Sequence, residues 1–225
     1  MKANNTMIKL IKFSTTKIIF GLTFCVMLFV LPSCISIKSD LPKVVYYKLT
    51  QTPITETEAT SLYADKSIFI KPFRINSDLE TSKISVSEDN WRVRKYNYHQ
   101  WTAPLNEVLT EFTINRISRY GAFRKGVSSS AFSTNNDFVL ECNVLNCIIN
   151  NSTTTARPNN VELSISATLL TPDATTLSYS PVFSKTYTKS LARKDNSLET
   201  AVDALSILMS EITDAILVDI FQHIK

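Results

Sequence analysis

The fold is decided by the C-terminal stretch 198–220, which reads LETAVDALSILMSEITDAILVDI. Asp195, Asn196 and Ser197 directly precede it and offer N-terminal caps for a helix. The stretch is broadly apolar, which favours packing against the domain's own sheet over a narrow coiled-coil face for a partner. Large apolar residues recur at helical spacing in one stripe, at Leu198, Val202, Leu205, Met209, Ile212, Ile216 and Ile220.

The rest of the chain alternates between strand patterns and one further helix pattern. The spacing of Leu105, Val108, Leu109 and Phe112 predicts a helix that begins near Thr102 or Ala103. In that reading Thr102 is the cap, Pro104 lies in the first turn and Gly121 ends the helix. Alternating or β-branched runs predict strands at 43–50, 67–75, 84–86, 91–98, 137–150, 161–170 and 182–191.

These elements predict a single α+β domain. The order is strands, helix, strands, helix, and we expect a mostly antiparallel sheet covered by the two helices. The strand at 137–150 contains an irregularity, because Leu145 and the pair Ile148-Ile149 break its alternation. Cys142 and Cys147 lie on this strand five positions apart, which points them to opposite faces of a regular strand and argues against a disulfide. We interpret them as two small buried side chains, although a bulge between them would permit a bridge.

The N-terminal region has the three-part layout of a secretory signal. Four lysines precede an apolar core at 18–30, which is too short to span a bilayer, and Leu31-Pro32-Ser33-Cys34 follows as a lipobox. Pro32 departs from the usual lipobox pattern, and the alternative for Cys34 is an ordinary buried or disulfide cysteine. We predict a signal peptide at 1–33, lipid attachment at Cys34 through diacylglycerol and an N-acyl chain such as palmitate, a tether at 34–42 and a folded domain at 43–225.

Composition excludes several classes of function. Removing the four signal lysines leaves 20 basic residues against 20 acidic ones, so the mature chain gives no electrostatic argument for binding nucleic acid. The chain has two histidines, and it shows no Walker loop, dinucleotide fingerprint, HExxH or GxSxG pattern. We interpret His99 as a structural hydrogen-bonding residue and His223 as a favourable charge at a helix end. The prediction is a protein that is not an enzyme, with no catalytic residues, metal or cofactor.

Several motifs in order carry a resemblance to a known family. The lipobox is followed by Tyr46-Tyr47-Lys48-Leu49, by Ile68-Phe69-Ile70-Lys71-Pro72, and by Tyr98-His99-Gln100-Trp101-Thr102-Ala103-Pro104-Leu105 at the start of a helix. This set resembles the ABC-type transport auxiliary lipoproteins, the PqiC-like family, over most of the mature chain. The most specific piece is the aromatic, Trp, small residue, Pro, Leu sequence.

The resemblance implies a periplasm-facing lipoprotein that works with an MCE-domain protein and an ABC permease and ATPase in moving lipids between membranes and maintaining envelope integrity. Trp101, Tyr98 and Pro104 are the residues it marks for docking or for a structural corner. Two alternatives stay open: a module that holds a lipid between sheet and helix, and an assembly lipoprotein for an outer-membrane barrel or surface polymer. Self-association as a homo-oligomer is also open.

The residue after the lipidated cysteine bears on localisation. Ile35 stands where an Asp would, in enteric bacteria, indicate retention at the inner membrane. We therefore expect the protein to be anchored in the outer membrane and to face the periplasm.

Overall fold

A computed structural model gives the fold, and it describes residues 42–54, 64–89, 92–129, 136–151, 159–173 and 178–224. The predicted signal peptide and Cys34 lie outside the described residues, as does Trp91. No helix within the described ranges combines the length and the apolar character needed to cross a bilayer.

The described part of the chain contains eight strands and two helices. The first four strands are β1 (Val45–Tyr47), β2 (Ile68–Ile70), β3 (Lys83–Ser87) and β4 (Val93–Trp101), and helix α1 (Leu105–Tyr120) follows them. The remaining elements are β5 (Val127–Ser128), β6 (Phe138–Asn150), β7 (Asn160–Asp173), β8 (Ser178–Ala192) and helix α2 (Leu198–His223).

Helix α2 confirms the helix predicted from the C-terminal stretch. Its N-cap is Ser197, whose side chain accepts a hydrogen bond from the backbone N–H of Thr200. This bond satisfies one of the N–H groups that a helix start leaves without an intrahelical partner. The residues of the predicted apolar stripe are buried, and α2 packs on β7, β8 and α1.

Helix α1 ends where the sequence predicted and begins later. Gly121 adopts the left-handed conformation, with φ of 62°, at the C-cap, as expected of a glycine stop. The prediction of a start at Thr102 or Ala103 is wrong, because the N-cap position is Pro104 and no side chain caps the helix. The pyrrolidine ring disfavours the α conformation for the preceding residue, so Ala103 cannot belong to the helix.

All eight strands form one mixed sheet, and the prediction of a mostly antiparallel sheet is wrong. Its order is β1-β4-β3-β6-β2-β5, with β7 on the other edge of β6 and β8 beside β7. Among the described residues, four of the seven strand pairings are parallel: β1 with β4, β2 with β5, β2 with β6 and β3 with β6. The antiparallel pairings are β3 with β4, β6 with β7 and β7 with β8.

Long connections explain the parallel pairings. A parallel partner needs a crossover, and the chain between β2 and β6 contains β3, β4 and all of α1. Side-chain alternation is the same in parallel and antiparallel strands, so the sequence pattern could not distinguish the two. The order of elements also differs from the prediction, because the short strand β5 lies in a stretch for which the sequence predicted no strand.

The predicted irregularity in β6 is confirmed as a register shift between Val144 and Asn146. The extra residue, Leu145, is exposed, and the shift lets Cys142 and Cys147 both point into the core. Both thiols are free and buried, which confirms the interpretation of two small core side chains. Burial raises the pKa of the Cys147 thiol to about 12, so it stays protonated and unreactive at neutral pH.

Candidate functional site

The corner between β4 and α1 is the first region to consider, because the motif residues lie there. Trp101 ends β4 and is only 2% exposed. Its backbone N–H donates to the carbonyl of Ser82 at 2.6 Å, and the N–H of Thr102 donates to the carbonyl of Tyr47 at 3.1 Å. Pro104 is partly buried, and its carbonyl accepts the hydrogen bonds that open α1. The corner therefore joins three strands to a helix through the backbone.

Tyr98 differs from the other two motif residues. It lies on the same strand as Trp101, two positions before Gln100, and its side chain is 43% exposed. Gln100 is the register partner of Tyr46 on β1, so Tyr98 lies near the β1 edge of the sheet. The structure therefore places Trp101 inside the domain and leaves Tyr98 accessible to a partner.

A cluster of aromatic and polar side chains connects β1, β4 and α2. The Tyr47 hydroxyl donates to Oε1 of Glu199 at 3.1 Å and lies 3.0 Å from Nδ1 of His99. Tyr96 contacts the His99 ring edge to face. Burial and the neighbouring Glu199 carboxylate raise the pKa of the Tyr47 phenol, so it stays a hydrogen-bond donor. His99 thus has a structural role in tying these elements together.

The segment that follows β1 is held on α2 by residues that the sequence reading missed. The backbone N–H groups of Thr50 and Thr52 donate to the side-chain oxygens of Ser206 and Ser210, at 3.0 and 3.3 Å. Each serine also donates to the carbonyl four residues earlier in the helix. The available signal was two serines spaced by four in an otherwise apolar helix face, which places both on one side.

Arg116 is the second residue that the sequence reading missed. This α1 side chain is 2% exposed and forms two 2.6 Å hydrogen bonds to the Asp214 carboxylate on α2, while Nη1 donates to the carbonyl of Thr52 at 2.9 Å. Burial disfavours the charged guanidinium, but the bonds to Asp214 outweigh it and raise the pKa of Arg116. A bidentate pair of this kind fixes the two helices and the β1 segment against one another.

A second polar cluster lies at the other end of the sheet. Lys185 and Tyr187 of β8 both donate to Oδ2 of Asp219 on α2, at 2.6 Å. Burial would raise the pKa of Asp219, but the hydrogen bonds from Lys185 and Tyr187 hold it below its usual value. His223 accompanies this cluster at the end of α2, where Nδ1 lies 2.7 Å from the carbonyl of Asp219. The cluster fastens β8 to the helix.

The outer face of the sheet carries a polar surface cavity of about 450 Å³. Glu141 and Asn143 of β6 pair in register with Thr168 and Ser166 of β7, on the face opposite the core. Lys71 forms an ion pair with Glu141 at this cavity. The remaining lining residues are Pro72, Arg74 and Cys142. The lining suits hydrogen bonding to a polar group and contains no histidine or exposed thiol for acid–base or nucleophilic chemistry.

No metal centre is built from the residues that the structure describes, since none of them form a group of three or more His, Cys, Asp or Glu side chains suited to an ion. The clusters at Tyr47 and Asp219 each join a strand to a helix. Two further features of the surface are the exposed Tyr98 beside β1 and the polar cavity on the outer face.

Comparison with known families gives one match. The model of the family described as the ABC-type transport auxiliary lipoprotein component matches residues 47–217. A search of the curated proteins finds no match to the sequence.

Solved structures with the same fold have low sequence identity. A Xanthomonas campestris protein carrying the DUF330 family model is 14% identical with a TM-score of 0.63, and the match covers 80% of this chain and 96% of that one. A second crystal structure, of an uncharacterized protein, is 13% identical with a TM-score of 0.57 and coverage of 79% and 99%. The PelC dodecamer of Paraburkholderia phytofirmans is 12% identical with coverage of 69% and 88%, and its TM-score of 0.42 supports no inference about assembly.

Proposed function

Because this chain belongs to the family of ABC-type transport auxiliary lipoprotein components, we propose that it is a non-catalytic, lipid-anchored docking subunit of an envelope lipid-transport system. Its partners in this proposal are an MCE-domain protein and an ABC permease and ATPase. The observation that carries the proposal is the family match over 47–217, which spans nearly all of the folded domain.

The chemistry of the described residues supports docking over turnover. In the corner, Tyr47 and His99 are the pair of side chains that most resembles an acid–base pair. Their contacts with Glu199 and Tyr96 use them to join β1 and β4 to α2. Asp219 is saturated by Lys185 and Tyr187. Neither cluster has a nucleophile with a base in reach and space for a substrate, which an active site requires.

The anchor and the corner complete the proposal. Cys34 carries the lipid in the outer membrane, and the domain faces the periplasm, in keeping with Ile35 at the sorting position. Trp101 and Pro104 hold the corner, as their burial suggests, while Tyr98 is the member of the motif that contacts a partner. In this proposal the signal peptide ends at residue 33 and the tether ends at residue 42.

Among the cavities lined by residues that the structure describes, the space between sheet and helix favours docking over lipid holding. Under the corner, Trp101 and Leu105 line a cavity with Cys147 and Ile149, and its volume is about 10 Å³. That volume holds about one water molecule at most, whereas ligand pockets span about 300–1,000 Å³. The larger cavity on the outer face is lined by ionic and hydroxyl groups, which do not suit an acyl chain. Lipid that co-purifies in native mass spectrometry would reverse this preference.

The test is photo-crosslinking in the envelope of the native host. A photoreactive amino acid replaces Tyr98 in one strain and Tyr179 in another, because both tyrosines are exposed and they lie at opposite ends of the sheet. We expect the probe at position 98 to capture an MCE-domain protein or an ABC permease, identified by mass spectrometry, and the probe at 179 to capture much less. The proposal fails if neither probe, nor mild chemical crosslinking of the wild type, recovers a transport protein.

The same experiment distinguishes the transporter hypothesis from the third hypothesis, an assembly lipoprotein for an outer-membrane barrel or surface polymer. A barrel protein or a polymer-export protein at position 98 would favour that reading over the transporter. Adjacency of the gene to genes for a permease and an ATPase would favour the transporter.

A further inference from the structure

The start of the first strand, together with the residue before it, exposes the longest consecutive run of large apolar residues in the described part of the chain. Val44, Val45 and Tyr46, here called the β1 patch, are 40%, 43% and 62% exposed. Other exposed large apolar residues, such as Leu145 and Tyr179, stand singly in the sequence. Scattered apolar residues need no explanation, but a run on the edge of a sheet is a hazard unless something covers it.

The residues that the structure describes leave the patch uncovered. β1 pairs along one edge with β4, and no described residue pairs with its other edge. Successive side chains of a strand point to opposite faces, so Val45 lies on the same face as Tyr47 and Tyr46 lies on the other face. Tyr47 has a partner in Glu199, but Val45 and Tyr46 are exposed, one on each face of the sheet. Whatever covers the patch must therefore reach both faces of this edge.

The position of the patch in the sequence indicates that the bilayer lies close to it. Val44 follows Cys34 by ten residues, and a fully extended chain of that length reaches about 35 Å. The patch is thus the first part of the folded domain after the lipid anchor. A short tether raises the effective concentration of one end relative to the other to about the millimolar range, so a weak contact with the bilayer is populated.

The charges beside the patch suit a membrane surface. Lys43 and Lys48 flank it, and neither forms a salt bridge with any residue that the structure describes. Lys66, Lys71, Lys185 and Lys189 elsewhere in the fold have carboxylate partners, whereas Lys83 and Lys95 donate to the amide oxygen of Asn97 and the backbone carbonyl of Asp78. Tyrosine favours the boundary between apolar and aqueous regions, and lysine extends its ammonium to anionic headgroups.

We propose that the β1 patch rests in the interfacial region of the bilayer that holds the lipid anchor, with Lys43 and Lys48 at anionic phospholipid headgroups. The inference rests on the anchor of the proposed function and adds the face that the domain turns to the membrane. A lipid interface surrounds an edge on both faces. A partner strand would cover only the edge, and three residues allow few backbone hydrogen bonds.

The test uses the full mature lipidated protein in vesicles of phosphatidylethanolamine and phosphatidylglycerol. Tyr46→Cys and, as matched control, Tyr179→Cys are labelled with an NBD fluorophore, since both tyrosines are exposed on edge strands at opposite ends of the sheet. Unsubstituted protein measures any labelling of the buried Cys142 and Cys147. We expect a blue-shifted emission at position 46 and several-fold stronger quenching by headgroup-region nitroxide lipids than at position 179.

Charge provides a second arm of the same experiment. Replacing Lys43 and Lys48 by Ser in the labelled Tyr46→Cys protein should weaken the quenching in vesicles that contain phosphatidylglycerol. In phosphatidylcholine vesicles the same replacement should change it much less, because the attraction to anionic headgroups is missing there. Quenching that depends neither on the two lysines nor on the charge of the lipid would overturn the role of the two lysines.

Failure of the inference and failure of the proposed anchor are distinguishable. Vesicle flotation of unlabelled protein tests the anchor alone, with the unlipidated Cys34→Ser chain, produced without residues 1–33, as control. If the wild type floats and the fluorophore at 46 behaves like that at 179, the inference is overturned and the anchor stands. Hydrogen exchange of wild-type residues 44–46 needs no substitution at the patch: exchange several-fold slower in vesicles than in the Cys34→Ser protein supports the contact, and equal exchange overturns it.

Discussion

The two ends of the sheet are held by the same helix in different ways. β8 is 15 residues long, and its helix-facing side is fastened by Lys185 and Tyr187 to Asp219 and by Lys189 to Glu211. β1 is three residues long, and the segment after it is fastened by serine hydroxyls that accept its backbone N–H groups. The C-terminal half of α2 therefore holds side chains of β8, while its N-terminal half holds the backbone beyond β1.

This difference is matched by a difference in the side chains that the two ends of the sheet expose to solvent. From Ser184 to Ser190 the exposed face of β8 consists of serines and threonines, of which Ser184 and Thr188 bond hydroxyls of β7, and Tyr179 is a single exposed ring near the start of the strand. Lysines and hydroxyl side chains on a long edge strand discourage pairing with another chain. The β1 end instead leaves apolar side chains uncovered on a short strand. The β8 end is thus covered largely by its own polar side chains, whereas the described residues leave the apolar side chains of the β1 end exposed.

The largest expected effect tests the attachment of the β1 segment. Arg116→Met keeps most of the aliphatic packing but removes the partner of Asp214 and the donor to Thr52. Loss of one member of a buried ion pair costs about 3–5 kcal/mol when the remaining charge stays buried. Because the Asp214 side chain is 32% exposed and water can reach its carboxylate, we expect a loss at the lower end of this range, about 3 kcal/mol. Urea unfolding followed by circular dichroism measures the free energy of unfolding.

Arg119→Met is the matched control for this substitution. Arg119 lies about one helical turn after Arg116 on α1. It is exposed, and its side chain donates to the side chain of Gln51. Its loss should cost less than about 1 kcal/mol. Equal losses at positions 116 and 119 would show that the ion pair does not hold the segment.

The next effect concerns the β8 end and depends on pH. Asp219→Asn weakens the bonds from Lys185 and Tyr187, and hydrogen bonds to a charged group contribute about 2 kcal/mol. The pKa of Asp219 is lowered in the folded state, so its contribution is present above the ordinary aspartate pKa of about 4 and is lost as the pH falls through the lowered value. The stability difference between wild type and variant should therefore be largest near pH 7 and shrink below about pH 4.

Glu211→Gln provides the comparison within the same end of the sheet. Glu211 pairs with Lys189, and both side chains are more than two-fifths exposed. An exposed pair contributes about 0–1 kcal/mol, so this variant should stay close to the wild type. A larger loss at position 211 than at 219 would contradict the assignment of Asp219 as the main tie of β8.

A smaller effect separates the two serine contacts of α2. Ser206→Ala removes the acceptor for the N–H of Thr50, a loss of about 1 kcal/mol, partly offset by about 0.5 kcal/mol from the better helix propensity of alanine. Hydrogen exchange resolves the local change: the Thr50 amide should exchange faster in Ser206→Ala, and the Thr52 amide in Ser210→Ala. Faster exchange at Tyr187 instead would contradict the division of α2 into two halves.

Local features of this fold could be read from the sequence because their causes are local. The Ser197 cap and the Gly121 stop depend on one or two residues each, and both are confirmed. The shift in β6 was signalled by broken alternation around Leu145. The late start of α1 was also local: the rule for residues before proline applied at Ala103, and the prediction did not use it.

The pairing of strands could not be read in the same way, because it is not local. β1 pairs with β4 across a distance of more than 50 residues, and nothing in Val45 or His99 states the direction of that pairing. The same holds for Arg116, whose partner Asp214 lies on the other helix, 98 residues away. Of the candidate site, motif resemblance marked Trp101, Pro104 and Tyr98, but only the structure separates the buried Trp101 and the partly buried Pro104 from the exposed Tyr98.

The smallest expected effect tests whether the β1 patch serves the fold. Tyr46→Thr keeps a strand-forming residue and removes an exposed ring, so the free energy of unfolding of the mature protein should change by no more than about 0.5 kcal/mol. Tyr179→Thr at the β8 end should cost no more than about 1 kcal/mol, because it also removes the ring that the Lys71 ammonium contacts. A loss of several kcal/mol at position 46 alone would mean that the domain itself buries this ring, and the β1 end would then need no external cover. Neutrality at 46 leaves the ring without a role in stability, which is the behaviour of a residue that acts at a surface.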